Sequence, residues 1–216
     1  MEIWLFILGY LVHFVGSIVL LRKIQKQKSV YGLSSDTQYM LLAATISRCI
    51  WSMYTRLIET NLAYMELICS TVVALMLAYS MWQFRHTTIK QAPSPLKATI
   101  LIPAALVLAF FFHPGYKWWT VQILVAFTMY IEAVALIPQL YLMRRMHEVE
   151  NVTSHYVGLL VCSRAVRLLF WVQLYWIGEH FIGLFVADLL HTLLSGDYLW
   201  LWIRKLRTGG QLIYSL

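Results

Sequence analysis

Seven long apolar runs constrain the fold of this chain more than any other feature of the sequence. Only 12% of the 216 residues are charged, whereas a soluble domain carries about 25%. A membrane-spanning helix needs roughly 20 mostly apolar residues. Runs near that length predict helices over residues 3–21, 36–55, 61–83, 98–112, 119–142, 154–177 and 181–203. We therefore predict an all-α membrane protein of seven transmembrane helices, with one domain over residues 1–207 and a short tail over residues 208–216.

The basic residues divide unevenly between the two sides of the membrane that these helices define. Of the 17 Lys and Arg residues, twelve lie in segments that follow the first, third, fifth and seventh helices. The opposite connections hold Arg56 and Lys117. Because basic loops remain in the cytosol, we predict a lumenal N-terminus and a cytosolic C-terminal tail. The net charge of +7 is therefore concentrated in the loops that flank the membrane. Because this distribution explains the positive charge, we predict no nucleic-acid partner.

Helices 1–3 and 5–7 show a weak internal repeat. In each triplet a hydroxyl-rich segment precedes the second helix, "GLSSDTQ" at 32–38 and "NVTSHY" at 151–156, and such residues cap helix starts. Each second helix then carries a Ser-Arg pair, Ser47-Arg48 and Ser163-Arg164. Two three-helix repeats joined by a fourth helix form a parallel-repeat architecture that is found among small-solute carriers.

Nine ionisable side chains fall inside the predicted spans. Each costs about 2.5–3.5 kcal/mol at the bilayer centre, so such groups are rare unless they face the interior of the bundle. They could pair with one another and only hold the helices together, or they could bind a ligand and move charge. The nine are His13, Arg48, Glu66, Glu132, Arg164, Arg167, Asp188, His191 and Asp197.

One face of the sixth helix combines two arginines with two aromatic residues. Arg164, Arg167, Trp171 and Tyr175 follow at i, i+3, i+7 and i+11, so they share this face. Two guanidinium groups beside an aromatic row suit a carboxylate ligand, and Trp171 could contribute a cation–π contact. The alternative is an aromatic belt that faces lipid, with the arginines reaching toward the membrane surface.

The stretch "YIEAVALIPQL" (130–140) places a carboxylate before a helix break. Glu132 and Gln139 lie seven residues apart on one helix face. Pro138 cannot donate a hydrogen bond, so the fifth helix is predicted to bend there. We interpret Glu132 as half of a buried proton or charge switch and Pro138 as either a pivot or a passive kink. His13 in the first helix is either a hydrogen-bonded core residue or the partner that senses pH.

No catalytic or metal-binding motif accompanies these charges. The sequence has no phosphate-binding loop, no Gly-x-Ser-x-Gly and no cluster of histidines. We therefore predict that the protein is not an enzyme and uses neither a cofactor nor a metal.

Several motifs occur in an order that resembles a known receptor family. They are "SVYGLSSDTQ" followed by "SRC", then "YIEAVALIPQL", "VTSHYV" followed by "SRAVRLLFW", and "SGDYLWLW". Over about residues 10–205 the chain resembles the endoplasmic reticulum (ER) lumenal protein-retaining receptors, the KDEL receptors. The Pro-Gln element is also similar to that of the PQ-loop and SWEET-like transporters.

The resemblance implies a function and a location. Receptors of this family bind the C-terminal tetrapeptide of escaped lumenal proteins in the acidic Golgi. They return these proteins to the ER through COPI-coated vesicles and release them at neutral pH. The protein is therefore expected in the ER and cis-Golgi membranes, with a C-terminal peptide and the COPI coat as partners.

The resemblance also implies roles for individual residues. Arg48 matches the arginine that grips the terminal carboxylate of the peptide. His13 matches the histidine that gives pH dependence, and Glu132 matches the glutamate coupled to it. Trp171 matches a tryptophan that contacts the peptide.

A further match and several departures complete the comparison with the family pattern. Arg164 and Asp197 match a polar pair. Leu174 replaces an arginine and Ser163 replaces a tyrosine. Four of the nine ionisable groups are additions to the pattern, namely Glu66, Arg167, Asp188 and His191.

Two other functions stay open at this point. Loss of the family's peptide-reading side chains, together with the Pro-Gln hinge, is compatible with a transporter of a small anion or zwitterion. A structural protein without a ligand would instead have all of its buried charges paired internally.

Overall fold

The computed structural model describes residues 3–54, 61–88, 93–115, 117–146, 148–178, 182–208 and 212–213. Within these ranges the chain is helical apart from its connections and one pair of short strands. The helices are α1 (Ile3–Gln27), α2 (Ser35–Tyr54), α3 (Asn61–Gln83), α4 (Ala98–Phe111), α5 (Gln122–Ala135), α6 (Ile137–Arg144), α7 (Asn151–Ile177) and α8 (Ile182–Thr208). The strands β1 (Glu148–Val149) and β2 (Leu212–Ile213) are antiparallel. Strand β2 belongs to the predicted tail. Arg56 and Lys90, two of the basic residues on which the predicted topology rests, lie outside the described residues.

Within the described ranges, five segments are long and apolar enough to cross a membrane. They are Trp4–Gln27, Asn61–Gln83, Gln122–Arg144, Val152–Ile177 and Ile182–Arg204. Helix α4 is apolar but has only 14 residues. Helix α2 has 20 residues, and polar groups such as Asp36 and Arg48 lower its hydropathy. The described helices therefore have the length and composition of a helical, multi-pass membrane protein.

Pro138 coincides with a break in the segment that the sequence predicted as one helix over 119–142. Helix α5 ends at Ala135 and α6 begins at Ile137. The missing N–H of Pro138 leaves an α-helix one hydrogen bond short at this point.

His191 of α8 reaches the last turn of α5, where its Nδ1 lies 2.5 Å from the carbonyl oxygen of Ala133. Because a carbonyl oxygen only accepts, Nδ1 carries the proton and donates.

Gln139 ties this break to the loop between α1 and α2. Its Oε1 accepts from the backbone N–H of Ser34 at 2.7 Å, and its Nε2 donates to the carbonyl oxygen of Gly32 at 2.9 Å. Gly32 has a positive φ of 73°, which glycine adopts without strain. The Ser34 hydroxyl then accepts from the N–H of Thr37 at 3.4 Å in the first turn of α2. The fully buried Gln139 therefore fixes where α2 begins.

A buried lysine joins the end of α1 to the start of α7. The Lys23 ammonium lies 2.5 Å from Glu150 Oε2 and donates to the Thr153 hydroxyl at 2.7 Å. Gln27 donates to Glu150 Oε1 at 2.6 Å. Burial opposes ionisation, but the hydrogen bonds from Lys23 and Gln27 and the charge of Lys23 hold the pKa of Glu150 below its usual value. These contacts explain why α1 continues to Gln27, beyond the predicted end at residue 21.

The helices pack in a pattern that interleaves the two halves of the chain. Helix α1 packs against α7 and α3, and α5 packs against α2 and α8. Helices α2 and α3 contact each other, as do α7 and α8. The apolar core between them includes Leu20, Met40, Ile131 and Tyr156. Most of the ionisable residues within the predicted spans are buried, on α2, α3, α5, α7 and α8.

Gly158 provides a test of the contact between α7 and α8. A Cβ atom at this position would lie 2.3 Å from the Trp202 ring. We predict that Gly158→Ala lowers the free energy of unfolding by about 1–3 kcal/mol, because an overpacked contact forces the backbone or the ring to shift. Thermal or denaturant unfolding of the purified protein in detergent measures the change.

Gly196 of α8 supplies the matched control. An added Cβ there meets no described atom within 4 Å, and alanine favours a helix over glycine by about 1 kcal/mol. Gly196→Ala should therefore leave stability unchanged or raise it slightly. Equal losses in both variants would contradict the described packing of α7 on α8.

Candidate functional site

Two arginines and two carboxylates form a buried cluster between α5, α7 and α8. Glu132 Oε2 accepts from Arg164 Nη1 at 2.7 Å and from Arg167 Nη1 at 2.5 Å. Arg167 Nη2 donates to Asp188 Oδ1 at 3.2 Å, and Arg164 Nη1 lies 3.6 Å from the same oxygen. All four residues are buried. Their formal charges cancel, as expected for charges taken out of water.

Trp171 belongs to the same cluster, one turn beyond Arg167 on α7. Its indole Nε1 donates to Asp188 Oδ2 at 2.8 Å. Arg167, Trp171 and Asp188 are all less than one-tenth exposed. The helical spacing therefore identified Arg164, Arg167 and Trp171 correctly as one inward face. Tyr175, two turns beyond Arg167, is 60% exposed and lies outside this buried part of the face.

Arg48 forms a second buried ion pair, between α2 and α3. Its Nη2 donates to Glu66 Oε1 at 3.1 Å, and both side chains are about 5% exposed. The Ser70 hydroxyl donates to the same carboxylate oxygen. The guanidinium carbon of Arg48 lies 3.8 Å from the ring centroid of Tyr10, a cation–π geometry. The Arg48 Nε is buried and makes no hydrogen bond with the part of the chain that the structure describes.

A small cavity lies between these two groups of charges. Its lining includes Tyr10, His13, Arg48, Ser70 and Glu132. Its volume of about 20 Å³ would admit one ordered water but no peptide. His13 and Glu132 thus share a cavity, although the structure shows no hydrogen bond between these two described side chains.

Asp197 corrects one expectation from the resemblance, which matched it with Arg164 as a pair. Asp197 instead accepts a hydrogen bond from Arg144, and both side chains are about half exposed. Asp188 is the acid of α8 that reaches Arg164 and Arg167. Asp197 is nine residues further along α8, or about 13.5 Å at the helical rise per residue. The distance along the helix therefore excludes it from the cluster.

The sequence did not identify the partner of Arg48. Glu66 and Ser70 are four residues apart on α3, a spacing that places both side chains on one helix face. This spacing indicated that Glu66 and Ser70 face the same way. It could not identify the partner of Arg48, because Glu132 and Asp188 were equally possible partners. Tyr10 was missed as well, because an apolar helix gives no sign that a tyrosine ring faces two guanidinium groups.

Comparison with known proteins assigns a family to this chain. The sequence profile of the ER lumen protein retaining receptors matches residues 29–174. The chain belongs to this family. It is 32% identical to the ER lumen protein-retaining receptor of Drosophila melanogaster, in an alignment that covers 94% of this chain and 95% of the fly protein. It is 27% identical to ER lumen protein-retaining receptor 3 of Mus musculus, in an alignment that covers 95% of both chains. It is also 27% identical to ER lumen protein-retaining receptor B of Arabidopsis thaliana, in an alignment that covers 94% of this chain and 95% of the plant protein.

Membership of the ER lumen protein-retaining receptor family confirms the resemblance seen in the motifs. The family consists of receptors rather than enzymes. Together with the apolar helices, it identifies a multi-pass membrane protein of the secretory pathway. Its relatives do not favour the transporter alternative.

The buried cluster predicts strong coupling between Arg167 and Asp188. Removing either charge alone leaves its partner buried without compensation, so Arg167→Met and Asp188→Leu should each cost about 3–5 kcal/mol of stability. The double variant removes both charges and should cost clearly less than the sum of the two. Unfolding of the four proteins in detergent measures the interaction free energy.

The exposed pair Arg144 and Asp197 is the control for this cycle. Surface ion pairs contribute up to about 1 kcal/mol, so the Arg144→Met and Asp197→Leu cycle should show little coupling. If the effects of Arg167→Met and Asp188→Leu simply add, the described pairing is wrong.

Proposed function

We propose that this protein is a retrieval receptor that binds the C-terminus of ER lumenal proteins in the Golgi and returns them to the ER. Its signal would be KDEL-like. The observation that carries the proposal is the Arg48 guanidinium in a member of this family: it lines a buried cavity, and its Nε has no hydrogen-bond partner among the described residues. A C-terminal carboxylate is the ligand group that such a donor fits best.

The ligand site follows from the contacts of the arginines. Arg48 is the primary anchor for the peptide carboxylate, because within the described part of the chain its Nε has no acceptor and can serve as a second donor beside Nη2. Arg164 and Arg167 are bonded to Glu132 and Asp188. Together with these two acids they form the charge-balanced polar wall on which the peptide rests. Trp171 contacts the peptide from the same wall, and Tyr175 lies toward its outer end.

His13 and Glu132 make binding depend on pH in this proposal. Both line the cavity that contains Arg48. An imidazole titrates near pH 6.5 in water, and its protonated form attracts the carboxylate of a peptide. Protonation of His13 therefore favours the bound state, so the receptor binds in the acidic Golgi and releases at neutral pH.

The proposed opening of the site uses the break between α5 and α6. Pro138 interrupts the helix, and Gln139 ties α6 to the loop before α2, the helix that carries Arg48. A pivot at Pro138 would therefore move α5, and Glu132 with it, relative to Arg48. The cavity of about 20 Å³ must widen in this way before a peptide can enter.

The proposed architecture has seven spans in two parallel repeats. Helices α1, α2 and α3 form one repeat; α5 with α6, α7 and α8 form the other, and α4 joins them. The interleaved packing supports this division, because α1 on α7 corresponds to α5 on α2, and α1 on α3 corresponds to α5 on α8.

The proposed orientation has a lumenal N-terminus and a cytosolic C-terminus, as the basic residues predict. The tail over residues 208–216 then faces the COPI coat, which would return the loaded receptor. Retrieval in this scheme couples a lumenal binding event to a cytosolic coat across the membrane.

Binding of a peptide that ends in KDEL tests the proposal. We predict that the purified receptor binds this peptide more tightly at about pH 5–6 than at about pH 7. Replacing the terminal carboxylate by an amide, or Arg48 by Gln, should weaken binding at least tenfold, since a hydrogen bond to a charged group contributes about 1.5–3 kcal/mol. Isothermal titration in detergent, followed by a library of other C-terminal sequences, measures both effects.

Arg144→Gln is the control, because Arg144 is half exposed and bonded to Asp197 away from the cavity. It should bind like the native protein. Equal affinity for the carboxylate and the amide, or native affinity in Arg48→Gln, would contradict the proposal.

A further inference from the structure

Glu66 occupies the place beside Arg48 that a ligand carboxylate would take. It offers Arg48 a carboxylate at 3.1 Å, in a pair that is about 5% exposed. Among the described residues, Arg48 and Ser70 both donate to the same oxygen of Glu66, Oε1. A bidentate carboxylate would satisfy Arg48 better, because a guanidinium presents parallel donors that match both oxygens.

The other buried carboxylates near the cavity are committed elsewhere. Glu132 accepts from Arg164 and Arg167, and Asp188 accepts from Arg167 and Trp171. Glu66 is therefore the counter-ion that neutralises Arg48 in the closed structure. Without it the guanidinium would be buried with an uncompensated charge, which is strongly unfavourable.

The position of Glu66 suits exchange with a ligand. Arg48 and Ser70 line the cavity together with Tyr10. Arg48 Nε has no partner among the described residues, so an incoming carboxylate can bond to it before the contact with Glu66 breaks. The ring of Tyr10 covers the guanidinium at 3.8 Å and can hold it in place during the exchange.

We propose that Glu66 is a resident competitor for Arg48, which a peptide carboxylate must displace in order to bind. This inference rests on the proposed function, in which Arg48 is the carboxylate anchor. Glu66 then weakens binding of every peptide by the same factor, because it stabilises the empty receptor. It also selects for a free carboxylate, since a neutral C-terminus cannot replace a buried negative charge.

Glu66→Gln tests the proposal directly. The amide retains an oxygen acceptor for Arg48 and removes the competing charge. We expect a KDEL peptide with a free carboxylate to bind this variant roughly tenfold more tightly than the native receptor. The empty variant should also have a lower Tm than the native protein, and the peptide should raise that Tm by more.

A second variant and a control protect the test against misfolding and net-charge effects. Ser70→Ala keeps the charge of Glu66 but removes the hydroxyl that holds it, so affinity should rise by about threefold. Asp36→Asn, on α2, is the control that makes the same change in net charge. The asparagine side chain keeps an oxygen that can accept the hydrogen bond from the N–H of Ala98, which lies 2.9 Å from Asp36 Oδ1. Its affinity should match that of the native receptor.

The outcomes separate this inference from the proposed function. If the native receptor does not distinguish the carboxylate peptide from its amide, the proposed function fails and the competitor role falls with it. If the native receptor does distinguish them, but Glu66→Gln and Ser70→Ala bind equally or more weakly, the competitor role alone is overturned. Weaker binding would show that Glu66 positions Arg48 for the ligand.

Discussion

Compensation of buried charge is the constraint on which this structure depends. Among the described residues, three arginines lie in the interior of a bundle that faces lipid, where an unpaired charge is very costly. Arg164 and Arg167 meet Glu132 and Asp188, and Arg48 meets Glu66. Each contact joins different helices, so the requirement for charge balance also determines which helices pack together.

The same constraint limits how such a receptor can bind an anionic peptide. A carboxylate that enters a neutral, closed interior must take over the position of an existing negative charge or bring in a proton. The structure offers both routes at one cavity, because Glu66 contacts Arg48 and His13 lines the same space. In this view affinity, selectivity for a free C-terminus and dependence on pH have a common electrostatic origin.

Much of the fold was predictable from the sequence, because lipid imposes long apolar helices and Pro138 interrupts one of them. The shared face of Arg164, Arg167 and Trp171 followed from helical periodicity. Pairing was less predictable, since spacing along one helix does not show the level at which a second helix passes it. For this reason Asp197 was matched with Arg164, although Asp188 is the acid that reaches it. The partnership of Glu66 with Arg48 likewise required the packing of α3 on α2.

A structure of the receptor with a bound KDEL peptide at acidic pH would test the central claim most directly. The measured quantity is the distance from the peptide carboxylate to the Arg48 guanidinium, together with the position of Glu66. The account predicts a hydrogen-bonded contact between the carboxylate and Arg48, with Glu66 moved off the guanidinium. An intact pair of Arg48 and Glu66, with the peptide carboxylate bound elsewhere, would contradict it.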